Sequence, residues 1–215
     1  MPVSARRLAI WCAAVMIAAG CAQTVGGHAL RAVPGIDDES RSPVDVETVM
    51  LDQSQMRAIT GAGDDLTIIP SMDGKFPVDI DQLAKTTPPQ CQWIFEETQT
   101  FGRDVEEFHK TTFQNPPRGG LISEGAAAYR DPATARRAFD GLVGLVDGCA
   151  STPLGPMFVG DWNSTPVSMQ MRPGNGCGRD YRLKNVVLAE VTSCAFPDSV
   201  PDIVMTNILE RVPSG

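Results

Sequence analysis

Histidine is almost absent from this chain: His28 and His109 are the only imidazoles in 215 residues. A zinc site built on histidines and a Ser-His-Asp relay both need that group in company, so both are disfavoured. Positive charge is scarce too. Eighteen Lys and Arg face 26 Asp and Glu, a net charge of -8. Phosphate backbones require a basic face, so nucleic acid is excluded as a partner. The acidic balance also disfavours lying flat on anionic lipid. No hydrophobic run reaches the roughly 20 residues of a bilayer-spanning helix. G-x-S-x-G, H-E-x-x-H, the P-loop and C-x-x-C are all missing, and with them the commonest signatures of hydrolases, metalloproteases, NTPases and thiol redox sites. The expectation is a protein that is not an enzyme and holds no cofactor or metal.

What is present begins with a targeting segment. Arg6 and Arg7 precede an apolar run of 12 residues, Leu8 to Ala19, and then Gly20 and Cys21. A basic start, a short apolar core and small residues before a cut describe a signal peptide. The cysteine directly after them resembles the bacterial lipobox, with Ala18 where Leu is usual, and makes Cys21 the expected lipid acceptor. Plain secretion with cleavage near Ala19 and an uncleaved anchor are the alternatives. Loss of residues 1–20 leaves 16 basic against 26 acidic side chains, a net -10. Residues 22 to about 45 are rich in Gly, Ser, Pro and charge, and read as a tether that contains His28. A flexible run of that length reaches roughly 27 Å. The expected division is a signal peptide over 1–20, a lipidated N-terminus and tether over 21–45, and one domain over 46–215.

Cys12 leaves with the signal peptide and Cys21 takes the lipid, so Cys91, Cys149, Cys177 and Cys194 remain. Four cysteines in an exported domain imply two disulfides with three connectivities. Asp180–Leu183 and Val186–Ser193 read as two strands around a turn at Lys184–Asn185. Opposed positions there sum to about 369, and Cys177 and Cys194 sum to 371, so they lie nearly opposite at the open end. Cys91 and Cys149 are left to pair across a longer loop.

Asp52 opens a helix as N-cap, with Gln55 completing a capping box, Leu51 and Met56 a hydrophobic staple, and Gly61 the stop. Asp64–Pro70 reads as a turn and a short strand, and 71–90, with Pro77, Pro88 and Pro89, as a long loop. The alternation around Trp93, Phe95 and Glu97 predicts a strand from Cys91. Val105–Gln114 and Gly120–Tyr129 are further strands. Asp131 and Pro132 open the clearest helix, with Ala135, Ala138, Phe139, Leu142, Leu145, Val146 and Cys149 on one face. Thr165–Met171 is another strand. A last helix starts near Asp198 or Ser199, with Pro201 in its first turn and Val204, Met205, Ile208 and Leu209 on its apolar side. The fold class expected is α+β: an antiparallel β-sheet packed with helices and stapled by two disulfides.

Four stretches carry a resemblance: TVMLDQSQMRAITGAG, CQWIFEET, AAAYRDPATARRAFDGLVGLVDGCA and CGRDYRLKNVVLAEVTSCAFPDSVPDIVMTNILERV. In that order they resemble the PknH-like extracellular sensor domain family of mycobacteria, over residues 48–212. The resemblance implies an α+β domain, cysteines paired first with second and third with fourth, and a cleft for an unidentified ligand. One departure is Leu145-Val146-Asp147, where the family helix usually carries a Trp. No kinase domain accompanies the sequence, so inward signalling by this chain alone is not expected.

Polar groups for such a cleft are few. Glu97, Arg103 and His109 are the candidates: an inward acid near Arg103 would form a polar wall, against an ordinary solvated sheet face as the alternative, while His109 by itself reads as an exposed strand residue. The pairs Glu96–Glu97 and Glu106–Glu107 split across a strand and cannot act as dyads. Asp73, Asp79 and Asp81 depart from calcium-loop spacing. Gly174, Gly176 and Gly178 lack the Lys and helix of a phosphate loop and read as a turn into the stapled hairpin. Asn163-Ser164-Thr165 fits a glycosylation sequon with no evident use here. The leading expectation is a membrane-anchored, extracytoplasmic binding or sensing domain whose cleft takes a small molecule, a lipid or a cell-wall fragment. The alternative is an interaction module that docks on a membrane protein or wall partner.

Overall fold

The computed structural model describes residues 41–174 and 176–214. The signal peptide, Cys21 and His28 lie outside the described residues. Seven strands form one antiparallel sheet: β1 (Thr67–Gly74), β2 (Glu107–Asn115), β3 (Gly120–Ala128), β4 (Asp161–Thr165), β5 (Ser168–Arg172), β6 (Cys177–Lys184) and β7 (Val187–Cys194), in the spatial order β1-β2-β3-β7-β6-β5-β4. The helices are α1 (Gln53–Thr60), α2 (Asp81–Lys85), α3 (Glu97–Thr100), α4 (Pro132–Ala150), α5 (Gly155–Phe158) and α6 (Ser199–Arg211). This is the α+β fold expected, with both disulfides present. No helix among the described residues is long and apolar enough to cross a membrane.

Successive strand residues point to opposite faces, and both faces are covered. On one, Ile122, Ala126, Val187, Ala189 and Val191 meet α1, α6 and the segment from Val44 to Leu51. On the other, Phe108, Ala127 and Leu188 meet Trp93 and the buried stripe of α4. In α4 the stripe is Ala135, Phe139, Leu142, Val146 and Cys149, the spacing read from the sequence. Ala126, Ala127 and Ala128 are fully buried in the middle of the sheet; small side chains there let both layers approach.

Local chemistry sets the ends of these elements. The Asp52 carboxylate accepts from Gln55 N, and the Gln55 side chain accepts from Asp52 N in return. Gly61 closes α1 at φ 64°, a left-handed conformation that suits glycine. Asp131 accepts from Thr134 N at 2.7 Å to start α4. The β6–β7 turn lies at Asn185–Val186, one residue later than expected, with Asn185 at φ 52°. That shift places Cys177 directly opposite Cys194. The second disulfide joins Cys91 to Cys149 in the last turns of α4.

Three expected elements differ. Residues 91–97 are not a strand: Pro89–Phe95 is a 3-10 helix, followed by α3. Pro89 has its φ preset for a first helical position and no N–H to leave unpaired, and a short apolar alternation does not separate strand from helix. Residues 71–90 are not one loop, since β1 runs on to Gly74 and α2 follows. Pro70 is tolerated inside β1 because β1 is an edge strand whose pairing with β2 shifts register between Ile68 and Asp73. Thr165–Met171 is not one strand but the turn and second half of the β4–β5 hairpin, broken by Pro166, which has no N–H for the ladder.

Candidate functional site

Between the sheet and the covering layer of α2, the 3-10 helix and α3 lies a cavity of about 450 Å³. Its floor is the sheet face formed by Lys110 and Thr112 of β2, Ser123 of β3, Arg179 of β6, and Glu190 and Thr192 of β7. Its rim is apolar, with Met72, Phe76, Val78, Ile80 and Leu83 around the mouth. These five are among the large hydrophobic side chains most open to solvent, Phe76 at 80%. The volume suits a small molecule or one end of a larger one.

The floor is a closed polar network. Lys110 Nζ lies 3.1 Å from Glu190 Oε2 and 2.9 Å from Glu97 Oε1. Arg179 Nε donates to Thr192 Oγ1 at 3.0 Å and lies 3.5 Å from Glu190 Oε1, while Thr192 Oγ1 donates to Glu190 at 2.7 Å. Arg179 Nη1 reaches the Ile94 carbonyl at 3.4 Å, so it also supports the roof. Glu97 accepts from Val78 N at 2.8 Å and ties the rim to the floor. Burial pushes the Glu190 carboxyl up, but the charges of Lys110 and Arg179 and the Thr192 hydroxyl outweigh it and hold Glu190 below the usual carboxylate range. Burial opposes the charge on Arg179, yet Tyr181 and Glu190 beside it keep its pKa raised. Two cations balance two carboxylates here, so the floor offers hydrogen-bonding edges and hydroxyls rather than a net charge.

Of the expected cleft residues, the structure brings Glu97 into the wall. Its basic partner is Lys110, not Arg103, which is exposed in the bend after α3 and outside the cavity lining. His109 neighbours Lys110 on β2 and therefore points to the opposite face. It is half-buried there rather than exposed, with Nε2 2.9 Å from Asp73 Oδ1. The hydrogen bonds from His109 and Thr111 hold the Asp73 carboxyl low against a modest burial effect. Asp79 caps Thr98, accepting from its N at 3.0 Å and its hydroxyl at 2.7 Å. Sequence reasoning missed Lys110, Arg179 and Glu190. A signal was available for Glu190 alone, the one charged residue in the otherwise uncharged strand β7; Lys110 and Arg179 sit in strands that carry several other charged residues, so nothing local marked them.

A family model described as "PknH-like extracellular domain" matches residues 42–211. Among solved structures, the extracellular domain of PknH from Mycobacterium tuberculosis is similar, with a TM-score of 0.56 and 14% identity over 80% of this chain and 97% of that one. At that identity the likeness is one of fold. No curated protein matches the chain.

Proposed function

This chain belongs to the PknH-like extracellular domain family, and from that premise we propose that it is a non-catalytic envelope lipoprotein that binds an amphiphilic ligand in the cavity of its sensor-like domain. The family carries an extracytoplasmic location, and two disulfides suit an oxidising compartment. In this proposal Cys21 carries the lipid and the residues between it and Arg41 link the domain to the membrane; the expected end of the tether at 45 falls a few residues late, because Val44 is packed in the core.

The observation that carries the ligand proposal is the contrast between floor and rim. Exposed apolar side chains surround a mouth that opens on an internally neutralised, hydroxyl-bearing floor. A ligand with an apolar part at the rim and an uncharged polar end on Thr112, Ser123, Lys110 and Thr192 satisfies both. Native mass spectrometry of the chain exported and oxidised by its own host is the test. A retained lipid or wall fragment is expected. An apo mass, together with no heat on titration of envelope lipid extracts or soluble wall fragments, would sink the proposal.

A second reading, an interaction module for a membrane or wall protein, is favoured by one observation: the rim is an apolar patch in its own right. Crosslinks from rim positions to a protein in intact cells, with an empty cavity, would select it.

A further inference from the structure

The apolar rim has a location as well as a chemistry. Met72, Phe76, Val78, Ile80 and Leu83 fall within one short stretch, from the end of β1 into α2. The other exposed large hydrophobics among the described residues lie elsewhere in the chain: Leu154 and Met157 at α5, Val167 in the β4–β5 turn and Ile203 on α6. The stretch is held from behind: Val78 N donates to Glu97, Ile80 N donates to the Phe95 carbonyl at 2.7 Å, and Asp79 holds Thr98. Phe76 projects from the turn just before these anchors. Its neighbour Lys75 is ion-paired with Glu47. That contact shows which part of the N-terminal segment lies beside the lip. The segment from Val44 to Leu51 is docked on the sheet, with Val46 N held by Glu107 at 3.2 Å, and it passes beside the turn that carries Phe76.

We propose that this apolar lip docks on the lipid bilayer that anchors the chain, so that the mouth of the cavity opens at the membrane surface. The proposal rests on the lipid-anchored reading of Cys21. Nineteen residues lie between Cys21 and Arg41, and the random-coil span of a chain of that length is about 25 Å. The tether therefore keeps the lip at high effective concentration over the leaflet that holds the anchor. Lys75 is paired with Glu47, and Asp79 accepts two hydrogen bonds from Thr98, so both charges are held beside the lip at the water side while the apolar tips enter the interface. The acidic chain gains nothing from an anionic surface, so the attraction is apolar and acts on zwitterionic lipid. An amphiphile could then pass from leaflet to cavity with its apolar part never crossing open water.

The test uses the mature lipidated chain reconstituted in phosphatidylcholine vesicles, with Phe76→Trp and, as control, Ile203→Trp on α6 across the sheet. Brominated acyl chains are expected to quench most of the emission added at position 76 and little of that added at 203. A vesicle-bound chain whose position 76 stays unquenched overturns the lip and leaves the anchor standing. Protection of position 76 in host membranes but not in protein-free vesicles also overturns it, in favour of a protein partner. If intact mass shows no lipid on Cys21, the anchor reading fails by itself. Flotation of that unlipidated chain with vesicles, lost in Phe76→Ser, would still support the lip, and no flotation would overturn it.

Discussion

Glu124 and Glu190 stand on adjacent strands, β3 and β7, one register position apart, and both are fully buried. They point to opposite faces of the sheet and live in opposite charge states. Glu124 faces the α1–α6 layer, where its two oxygens accept from Leu51 N at 3.1 and 3.2 Å. Burial pushes its carboxyl up to about 8, against small opposing effects from the Leu51 hydrogen bond and Arg211. Glu190 faces the cavity, where Lys110 and Arg179 keep it ionised. The difference teaches that burial alone does not decide a charge in this sheet; what crosses from the layer above does. Around Glu124 one backbone hydrogen bond does not offset burial, which favours the neutral acid. The cavity face is a polar floor built to stay charged and open.

The contrast breaks most severely in Glu190→Ala. Lys110 would keep only Glu97, and Arg179 would lose its buried anionic partner. An uncompensated buried charge costs about 3–5 kcal/mol, so the urea midpoint should fall sharply at pH 7 with the disulfides intact. Glu124→Gln replaces a neutral acid with a neutral amide, and its midpoint at pH 7 should stay near that of the parent.

The pH dependence sharpens the comparison. Unfolded, Glu124 releases its proton near 4.5; folded, near 8. Between those values the folded chain binds the proton and the unfolded chain does not, so stability falls as pH rises. The expected loss is roughly 3 kcal/mol between pH 5 and pH 8, and Glu124→Gln should flatten it. Glu190 acts with the opposite sign: its lowered pKa contributes stability above the ordinary carboxylate range, which is lost as pH falls through it. Urea titrations of parent and Glu124→Gln at pH 5, 6.5 and 8 would read the Glu124 effect, and further points below the ordinary carboxylate range would read that of Glu190. A parent curve that is flat from pH 5 to pH 8 would refute the assignment of Glu124 as a neutral acid.

The smallest effects should not distinguish the faces. Asp52 caps α1 on one side and Asp131 caps α4 on the other, each accepting a backbone N–H in the first turn. Either change to Ala should cost about 1 kcal/mol by thermal or urea unfolding. A much larger loss at Asp131 would mean that the start of α4 also supports the cavity layer.

Much of the fold was legible because its signals are local. Asp52 with Gln55, Asp131 with Pro132, and the apolar spacing from Ala135 to Cys149 each specify an element within a few turns of chain. The spacing of Cys177 and Cys194 about one hairpin placed them nearly opposite before the register was known. The segment from Cys91 to Glu97 was misread because alternation over so few residues fits a strand as well as a 3-10 helix. There the choice was settled by Pro88 and Pro89 and by the burial of Cys91 and Trp93 against the cavity-side core.

What the sequence determined by itself was therefore the elements, their caps, the antiparallel class and the stapled hairpin, since each follows from residues close in the chain or from period-two and helical spacing. What only the tertiary structure decided was the site. Lys110 and Glu190 are 80 residues apart, and they meet because the strand order sets β2, β3, β7 and β6 side by side with one face of each turned to the cavity. No local rule brings Arg179 under the Ile94 carbonyl or turns His109 away while Lys110 points in. Those placements depend on register and on which layer covers which face, and both are fixed by long-range packing.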